Sequence, residues 1–515
     1  MTQLNVYQKE PNLYLTESPA PPPPGGADIP VGVGAMFGVA QWGPVGLAIY
    51  CTSFAMWETI FGGYLSTTYP SHSQVKKFFQ NGGNALWFTR IVHYSTISDS
   101  TSKASISAWA TLMVTSTIAF AMISAKYDGT RGNTFSMVTA AGTNGVANEF
   151  QIQVQEASVL AEPVYDNLSK NSTDPNYFVN VINARSGLIV ANAPTTTAAI
   201  SLAINTLVSF YGGNDGLATL GTIDYIGDNT ANNGIKSFNG IDIPLLIACP
   251  DADMTVDATV RKEISRYCDY DHLKLNFGIL CIPQNKVAVA ALSYQTTTMA
   301  TDSDRSAIYY PWVYDEDGTL ISPTGAIMGV YSWFANAVTK GVWWSPAGTD
   351  ASLVGVTGME FNPGAVMAGK LNESRVNCLK SIPGTGICIW GSRTMSIANQ
   401  LDFRYIGARL NTSDLEARIL KKTLWAVHRP NDQSLWNDIT ATVKSILNIR
   451  YMAGGLDGAT VDEAYQVICD KTVNTTATKL AGLVTCRIGI KNKMTAEFIW
   501  FNVAQLASGL ATISE

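Results

Sequence analysis

Cysteine and histidine side chains are the first candidates for chemistry in this sequence, because they bind metal ions, act as nucleophiles and form disulfides. All are isolated along the chain: there is no C-x-x-C pair, and the four histidines have no neighbour at metal-ligand spacing. The sequence therefore predicts no metal site. The eight cysteines are Cys51, Cys249, Cys268, Cys281, Cys378, Cys388, Cys469 and Cys486. They are interpreted either as buried, inert thiols or as disulfide cysteines, which could link subunits in oxidising surroundings.

Sequence motifs that mark common catalytic machinery are absent. The chain has no G-x-x-x-x-G-K-[ST] phosphate loop, no H-E-x-x-H motif and no G-x-S-x-G nucleophile turn. The segment GGNDG at 212–216 is similar to a cation-binding loop but lacks the spaced carboxylates that should follow, so it is interpreted as a turn. We therefore expect that the chain is not an enzyme and uses no cofactor.

Composition favours a large structural protein. A chain of 515 residues is too long for one hydrophobic core, and two to four domains are expected. Hydrophobic residues make up 46%, which excludes a disordered chain, whereas charged residues make up only 14%. Because the net charge is −6, a general nucleic-acid coat is disfavoured. Low charge together with twelve tryptophans indicates large surfaces buried against other chains.

One uncharged stretch, residues 105–125, has the length of a membrane span. Serine and threonine interrupt it repeatedly, and its threonine and isoleucine content favours a strand. A buried strand or core helix is therefore expected, and no membrane insertion. The N-terminus shows no basic region followed by an apolar core, so no secretory signal is expected either.

Residues 1–28 read as an extended N-terminal arm. Proline at 19 and at 21–24, followed by two glycines, predicts a stiff linker, and a polyproline ligand is the alternative interpretation. The arm has too few apolar residues to fold alone, so it is expected to add a strand to a neighbouring subunit. Its alternating apolar residues are Leu4, Val6, Leu13 and Leu15.

Residues 29–94 are predicted to form strand, helix, helix and strand. VGVGAMFGVA is a strand of small and apolar residues, and Ser53 is the predicted N-cap of a helix that stops at Gly62 and Gly63. Residues 95–200 then show β-rich patterns. From 201 to 371 the pattern becomes α/β, with IPLLIACP and FGILCIP as buried strands and the helical VRKEISRYC between them.

The last block, 372–515, is predicted to begin with two strands, GICIWGSRTM and FRYIGARL. Ser413 and Glu416 form a capping-box pattern that should open a helix, and LWNDITATVKSILNIRYMAGG supplies another. TCRIGIKNK and EFIWFNVAQL are then expected to pair as a hairpin. Because the final strand is apolar on both faces, it should be covered on both sides, by subunit exchange through the arm 498–515. Its predicted contacts are Phe498, Ile499, Trp500, Phe501 and Val503.

Positive charge is concentrated near the C-terminal end. Residues 393–493 hold 14 basic and 9 acidic residues, so this block is +5 and the remainder is −11. Long-range attraction would suit such a block to a negatively charged partner surface, and an ordinary solvated helix face is the alternative. The basic residues of the two predicted helices are Arg418, Lys421, Lys422, Lys444 and Arg450.

Several blocks, in order, resemble the contractile tail sheath proteins of phages and related injection systems. They are VGVGAMFGVAQWGPVGLAIYCTSFAMWETIFGG, VKKFFQNGGNALWFTRIV, KYDGTRGNTFSMV, GVYSWFANAVTKGVWWSPAG, ICIWGSRTMS, FRYIGARL, TLWAVHRPND, LWNDITATVKSIL, YQVICD and AEFIWFNVAQL. The resemblance covers residues 30–506 and is thinner between 95 and 325. It departs from the family pattern at Trp333 and Asn336, where the family often has a basic residue.

The resemblance implies a mixed α/β, multi-domain fold. A discontinuous tube-proximal domain would combine 29–94 with 372–515, and a β-rich domain (95–200) and an α/β domain (201–371) would be inserted as outer domains. Extended arms would lie at both ends.

The implied function is that of a structural subunit in a phage virion. Subunits assembled in the host cytoplasm would stack as six-fold rings into a helical homo-oligomer around a tail tube, with baseplate and tail terminator proteins as further partners. Contraction would drive the tube through the host envelope for genome ejection. The alternative is a non-contractile virion or cell-surface structural protein, such as a tube or baseplate component or a surface-layer adhesin.

Overall fold

The computed structural model describes residues 29–113, 119–146, 149–194, 206–270, 273–396 and 401–500. The predicted N-terminal arm, with Leu4, Val6, Leu13 and Leu15, lies outside the described residues. The same holds for the chain after residue 500, including Phe501 and Val503.

The strands follow one another through most of this length. In chain order they are β1 (Val33–Gly38), β2 (Ala48–Cys51), β3 (Leu86–Arg90), β4 (Trp109–Met113), β5 (Ala119–Ala125), β6 (Phe135–Ala141), β7 (Phe150–Glu156), β8 (Val159–Leu160), β9 (Tyr165–Leu168), β10 (Ile189–Ala191), β11 (Thr206–Ser209), β12 (Leu245–Ala248), β13 (Phe277–Cys281), β14 (Ser306–Tyr310), β15 (Val313–Asp315), β16 (Leu320–Ile321), β17 (Val356–Met359), β18 (Val376–Ile382), β19 (Gly386–Ile389), β20 (Tyr465–Ile468) and β21 (Arg487–Ile490).

The α-helices lie mostly in the first hundred residues and after residue 220. They are α1 (Phe54–Phe61), α2 (Ser71–Gln80), α3 (Phe178–Arg185), α4 (Thr222–Ile226), α5 (Pro250–Asp253), α6 (Thr259–Tyr270), α7 (Ala288–Ser293), α8 (Thr324–Asn336), α9 (Ala365–Glu373), α10 (Ile406–Thr423), α11 (Gln433–Met452), α12 (Val461–Ala464) and α13 (Thr476–Leu480).

A large mixed sheet forms the centre of one structural unit. Its strand order is β19-β18-β14-β13-β12-β1-β3-β2. Its six central strands run parallel, and only the edge strands β2 and β19 are antiparallel to their neighbours. Strand β1 is buried along its whole length between β12 and β3. Its sequence, VGAMFG, has no charged residue, as expected for a strand covered on both faces.

Helices cover both faces of this sheet, because successive side chains of a strand point to opposite sides. Met36 packs in one core with Trp57 of α1 and Tyr331 of α8. Phe37, the next residue, packs in a second core with Tyr267 of α6 and Leu371 of α9. The mixed α/β, multi-domain fold class predicted from sequence is therefore confirmed.

The sheet differs from the predicted division of the chain in one respect. Strands β12, β13 and β14 come from 201–371, which was expected to form a separate outer domain, yet they lie between β1 of 29–94 and β18 of 372–515. The physical reason is that the uncharged runs of β12 and β13 need cover on both faces, which only a central position in a sheet provides. The predicted α/β pattern was correct there, but its separation from 29–94 was wrong.

A β-rich unit follows β3 in the chain. It contains the sheet β10-β5-β4 and the sheet β11-β6-β7-β8, with β9 paired to β7. Both sheets share a core that includes Phe135, Ile152 and Phe178. Trp42, which follows β1, inserts into the same core and lies edge-on to Phe135 at 5.4 Å between ring centroids, so the unit is fastened to the large sheet.

The uncharged stretch 105–125 lies in this unit. Of its described residues, 109–113 and 119–125 form β4 and β5, which pair with each other in an antiparallel register, so of the two predicted alternatives the strand is confirmed. Among the described residues, no helix combines the length and the apolar character needed to cross a membrane.

The C-terminal unit is built on α10 and α11, with the two-stranded ribbon β20–β21 beside α11. Its core includes Leu415, Trp436, Leu447 and Tyr465. Two predictions were wrong here. FRYIGARL runs into α10 rather than forming a strand, and Ser413 lies buried in the middle of that helix instead of capping it.

Two buried carboxyl groups follow β12, at the carboxyl end of the parallel strands. The Asp251 carboxylate accepts hydrogen bonds from the Val39 backbone N–H (2.7 Å) and the Tyr225 hydroxyl (3.1 Å). The Asp253 carboxylate accepts from Ser322 and Thr324, each at 2.6 Å. Burial raises the pKa of Asp251 to about 7 and that of Asp253 to about 6.

These shifts predict a protein that becomes less stable as pH rises from 5 to 7. The folded chain keeps a proton on Asp251 that the unfolded chain has already lost, so stability falls through this window. For Asp251 alone the loss is about 2 kcal/mol. Chemical denaturation at a series of pH values should show it, and Asp251→Asn should flatten the slope. Asp438→Asn, at an exposed carboxylate of α11, is the matched control. An unchanged slope in Asp251→Asn would contradict the assignment.

Candidate functional site

Asp414 ties the two long C-terminal helices together. Its carboxylate accepts a hydrogen bond from Arg418, one turn further along α10, at 2.9 Å. It also pairs with Arg450 of α11, which in turn donates to the Asn411 side chain at 2.6 Å. The Arg450 guanidinium lies over the Trp343 ring, 5.0 Å from its centroid. The cluster is a buried brace between α10, α11 and the segment after α8.

This brace changes the interpretation of the predicted partner-facing residues. Arg450 is buried, with 9% of its side chain exposed, so the prediction that it faces a partner surface is wrong for the folded subunit. Arg418 is also held inward, by Asp414 and by a hydrogen bond to the Ile29 carbonyl at 3.5 Å. Both arginines stabilise the unit, since a buried carboxylate needs a paired charge.

Three lysines of the predicted set keep an exposed position. Lys421 and Lys422 occupy the last turn of α10, where positive charge also interacts favourably with the helix dipole. Lys444 is exposed on α11. These three side chains remain the predicted basic contact surface, which we call the lysine surface.

The ribbon β20–β21 presents backbone groups at its edges. Its strands pair only with each other among the described residues, in the register Tyr465↔Ile490 to Ile468↔Arg487. Arg487, Ile488 and Gly489 of β21 are exposed. A two-stranded sheet is marginal in water, and unpaired edges readily accept another strand.

The chain after the ribbon is anchored at Glu497. The Glu497 carboxylate accepts hydrogen bonds from Arg393 (2.7 Å), Asn372 (2.5 Å) and Tyr405 (2.9 Å). Burial opposes ionisation of Glu497, but these three donors outweigh it and lower its pKa. Thr495 contributes a further hydrogen bond to Ser345 at 2.6 Å.

Immediately beyond this anchor, three large apolar side chains point into solvent. Phe498, Ile499 and Trp500 are 68%, 72% and 92% exposed. The predicted hairpin with 485–493 is wrong for these described residues, because β21 pairs with β20 and 498–500 belong to no strand. Contiguous exposed apolar residues are typical of binding surfaces.

The sequence analysis did not identify a groove that lies beside Glu497. Trp343, Trp344 and Trp390 line it together with the segment 494–499. Trp344 and Trp390 are 44% and 43% exposed, and the Lys340 ammonium lies 4.4 Å from the centroid of the Trp344 ring. The concentration of tryptophan between 333 and 390 was the available signal.

The cysteines are reduced in this structure, and all are buried except Cys486, which is half-buried. Burial raises the pKa of Cys51 and of Cys378 to about 11, which keeps both thiols protonated and unreactive. Buried thiols cannot meet a neighbouring subunit while the chain is folded, so bonds between subunits are disfavoured for the seven buried cysteines. Within the described ranges, no cluster of three or more histidine, cysteine, aspartate or glutamate side chains has the arrangement of a metal site.

Comparison with known proteins gives a clear result for the fold. No protein-family model and no curated protein sequence matches the chain. Solved structures do match over most of its length. A sheath complex of the extracellular contractile injection system PVC, in the contracted state, is 16% identical with a TM-score of 0.56, covering 96% of this chain and 97% of the other.

Two further structures agree. The contracted helical sheath of the anti-feeding prophage is 17% identical with a TM-score of 0.56, covering 96% of this chain and 99% of the other. The sheath tail protein Lin1278 from Listeria innocua is 14% identical with a TM-score of 0.61, covering 87% and 90%. This chain has the fold of contractile sheath proteins. The resemblance seen in the sequence is thus confirmed at the level of the fold.

Proposed function

We propose that this chain is the structural subunit of a contractile tail sheath. Copies would stack as six-fold rings into a helical sheath around an inner tail tube, between a baseplate and a tail terminator. Contraction would drive the tube through the envelope of a target cell. The observation that carries this proposal is the sheath fold over almost the whole chain, including similarity to two sheaths in the contracted state.

The exposed chain end supports a mechanism for keeping subunits joined while they slide. Glu497 fixes the point of exit, and the apolar residues 498–500 project from it. Joined to the chain beyond residue 500, they would form an arm that binds a neighbouring subunit. The open edges of the ribbon β20–β21 offer main-chain hydrogen bonds to such an arm and to the N-terminal arm of another copy.

The energy for contraction would come from the difference in packing between two subunit lattices. The sequence has no phosphate loop, so we propose that polymerisation and contraction require no nucleotide. We further propose that the sheath belongs to a bacteriophage virion and serves genome ejection, since the sequence resembles phage tail sheath proteins as well as those of injection systems.

Electron microscopy of the purified protein tests this proposal. Negatively stained samples, prepared without nucleotide, should contain hollow, striated polymers of uniform width. Discrete particles or monomers at all concentrations would contradict it and would favour a non-contractile structural protein. ATP turnover that is lost on substitution of one residue would contradict the nucleotide-free mechanism.

The lysine surface is predicted to contact the tube. Because an exposed ion pair contributes only about 0–1 kcal/mol, one substitution should do little, but reversing all three charges should weaken co-assembly with the tube about tenfold. The variant is Lys421→Glu with Lys422→Glu and Lys444→Glu, and co-sedimentation with assembled tubes measures the effect. Since the attraction is screened by salt, the loss should be largest at low ionic strength.

A matched control carries charge reversals at exposed lysines of the large sheet unit, Lys262→Glu on α6 and Lys370→Glu on α9. It should co-assemble normally. If the triple variant also co-sediments normally at low and moderate salt, the lysine surface is not the tube contact.

A further inference from the structure

Two of the eight cysteines lie face to face at one end of the ribbon β20–β21. The last pair of the ladder is Ile468↔Arg487, so Cys469 and Cys486 occupy the next position across the two strands. Cys469 belongs to the core of the C-terminal unit, and the half-buried Cys486 packs against that core. Their thiols are close enough to share a hydrogen bond.

The strand register places Cys469 and Cys486 at a kind of position that favours a disulfide. The Lys491 backbone N–H donates to the Ala464 carbonyl, which marks that pair as hydrogen-bonded. Because the two kinds of pair alternate along an antiparallel ladder, Cys469 and Cys486, five steps away, fall at a non-hydrogen-bonded pair. Side chains approach most closely there, with Cα atoms about 4.5 Å apart, which is within the range that a disulfide spans.

Asn474 holds the two chain segments together beside the thiols. Its side-chain amide donates to the Thr485 carbonyl at 2.9 Å, and its side-chain oxygen accepts from the Thr485 backbone N–H at 2.6 Å. The same amide lies 3.8 Å from the Cys469 sulfur. Asn474 therefore holds the segment that carries Cys486 beside Cys469, through bonds made on the residue before Cys486.

We propose that Cys469 and Cys486 form a disulfide within one chain when the protein meets an oxidising thiol–disulfide buffer. The oxidant is a small-molecule disulfide such as oxidised glutathione. The Cys486 thiolate attacks one sulfur of the oxidant, forming a mixed disulfide and releasing one glutathione thiolate. The Cys469 thiolate then attacks the Cys486 sulfur and releases the second. The two protons lost by the cysteines end on the two glutathione molecules.

The accessibility of the pair sets the order of these steps. Cys469 is 5% exposed, whereas Cys486 is half-buried, so the oxidant can reach only Cys486 first. Burial raises the pKa of Cys469, and burial together with the neighbouring Cys469 raises that of Cys486 to about 12. Few thiolates exist at neutral pH, so oxidation should be slow there and faster at alkaline pH. The bond would close the connection from 470 to 485 and fasten the ribbon at that end.

Peptide mapping without reductant tests the proposal on the full chain. Trypsin cuts after Lys471 and Lys479, so the two cysteines fall in separate peptides. After incubation with oxidised glutathione at alkaline pH and blocking of free thiols, mass spectrometry should find these two peptides joined. Alkylation under denaturing conditions should count two fewer free thiols than the eight of the reduced chain.

Two variants make the result specific. Cys486→Ser, at a half-buried position, should keep all its remaining thiols after the same treatment, and Cys51→Ser should still form the joined peptides. The proposal is overturned if the wild-type chain retains eight free thiols, if Cys469 or Cys486 is joined to a different cysteine, or if non-reducing electrophoresis shows a dimer linked through Cys486. The bond concerns one chain and does not depend on the proposed role in a sheath.

Discussion

Deletion of residues 1–18 is expected to leave a folded monomer that cannot build an extended sheath. The arm has too few apolar residues to form a core, so its loss should barely change thermal unfolding. Assembly should fail because the deletion removes the strand that we propose each subunit adds to its neighbour. Electron microscopy of full-length and truncated protein at equal concentration measures the outcome, and circular dichroism checks the fold.

A full-length control separates the sequence of the arm from its length. Replacing Leu4, Val6, Leu13 and Leu15 by Asp should abolish assembly as the deletion does, because buried cross-strand contacts would be lost. Replacing the prolines at 21–24 by Ser should have a much smaller effect, since we propose that they act only as a linker. Sheaths of normal length from the truncated protein would rule out the arm as the connection between subunits.

Asp414→Ala is expected to cost about 3–5 kcal/mol of stability, a large loss for a single substitution. The side chains of Asp414 and Arg450 are 3% and 9% exposed, so removing the carboxylate leaves a buried guanidinium without its charge partner. Arg418 loses the same carboxylate, 2.9 Å away. The packing of α10 against α11 depends on this brace.

Chemical denaturation of the purified monomer measures this loss directly. Asp438→Ala, at an exposed carboxylate of α11, is the matched control and should stay within about 0.5 kcal/mol of the wild type. A loss below about 1 kcal/mol for Asp414→Ala would show that Arg450 is satisfied by Asn411 and Trp343 alone.

Local signals in the sequence correctly predicted the helices and strands that are determined by neighbouring residues. Ser53 was identified as an N-cap, and its hydroxyl accepts a hydrogen bond from the Met56 backbone N–H at 3.2 Å, with Gly62 ending the helix. The predictions of the uncharged strands β1, β12 and β13 were also correct. In each case the burial pattern or the cap can be read from fewer than ten neighbouring residues.

Predictions failed where a long-range contact decides the structure. Ser413 and Glu416 match a capping box, but α10 has already run for two turns, and their side chains instead contact Arg305 (3.1 Å) and Arg409 (3.2 Å). Arg418 and Arg450 have the charge of a partner-facing surface, yet Asp414 holds both inward. The contact between Ser413 and Arg305 joins residues 108 positions apart and the pair of Asp414 with Arg450 joins residues 36 positions apart, and a single sequence gives no measure of either. The pair of Asp414 with Arg418 is one helical turn apart, so its i, i+4 spacing was a signal that the prediction overlooked.

The membership of the large sheet could not be predicted for a related reason. Strands β12 and β13 were predicted to be buried, but a parallel strand needs a long crossover and can join any sheet that covers both of its faces. The local sequence pattern was therefore equally compatible with two arrangements: 201–371 as a separate domain, or 201–371 contributing strands to the same sheet as 29–94.

Imaging of intact particles that carry this chain, before and after contraction is triggered at the baseplate, is the most direct test of a contractile role. We expect two sheath populations around one tube, a long, narrow form and a shorter, wider form, with the same number of subunits in each. A sheath whose length and width never change, or a chain found only as a fixed shell or single ring, would contradict the proposed function.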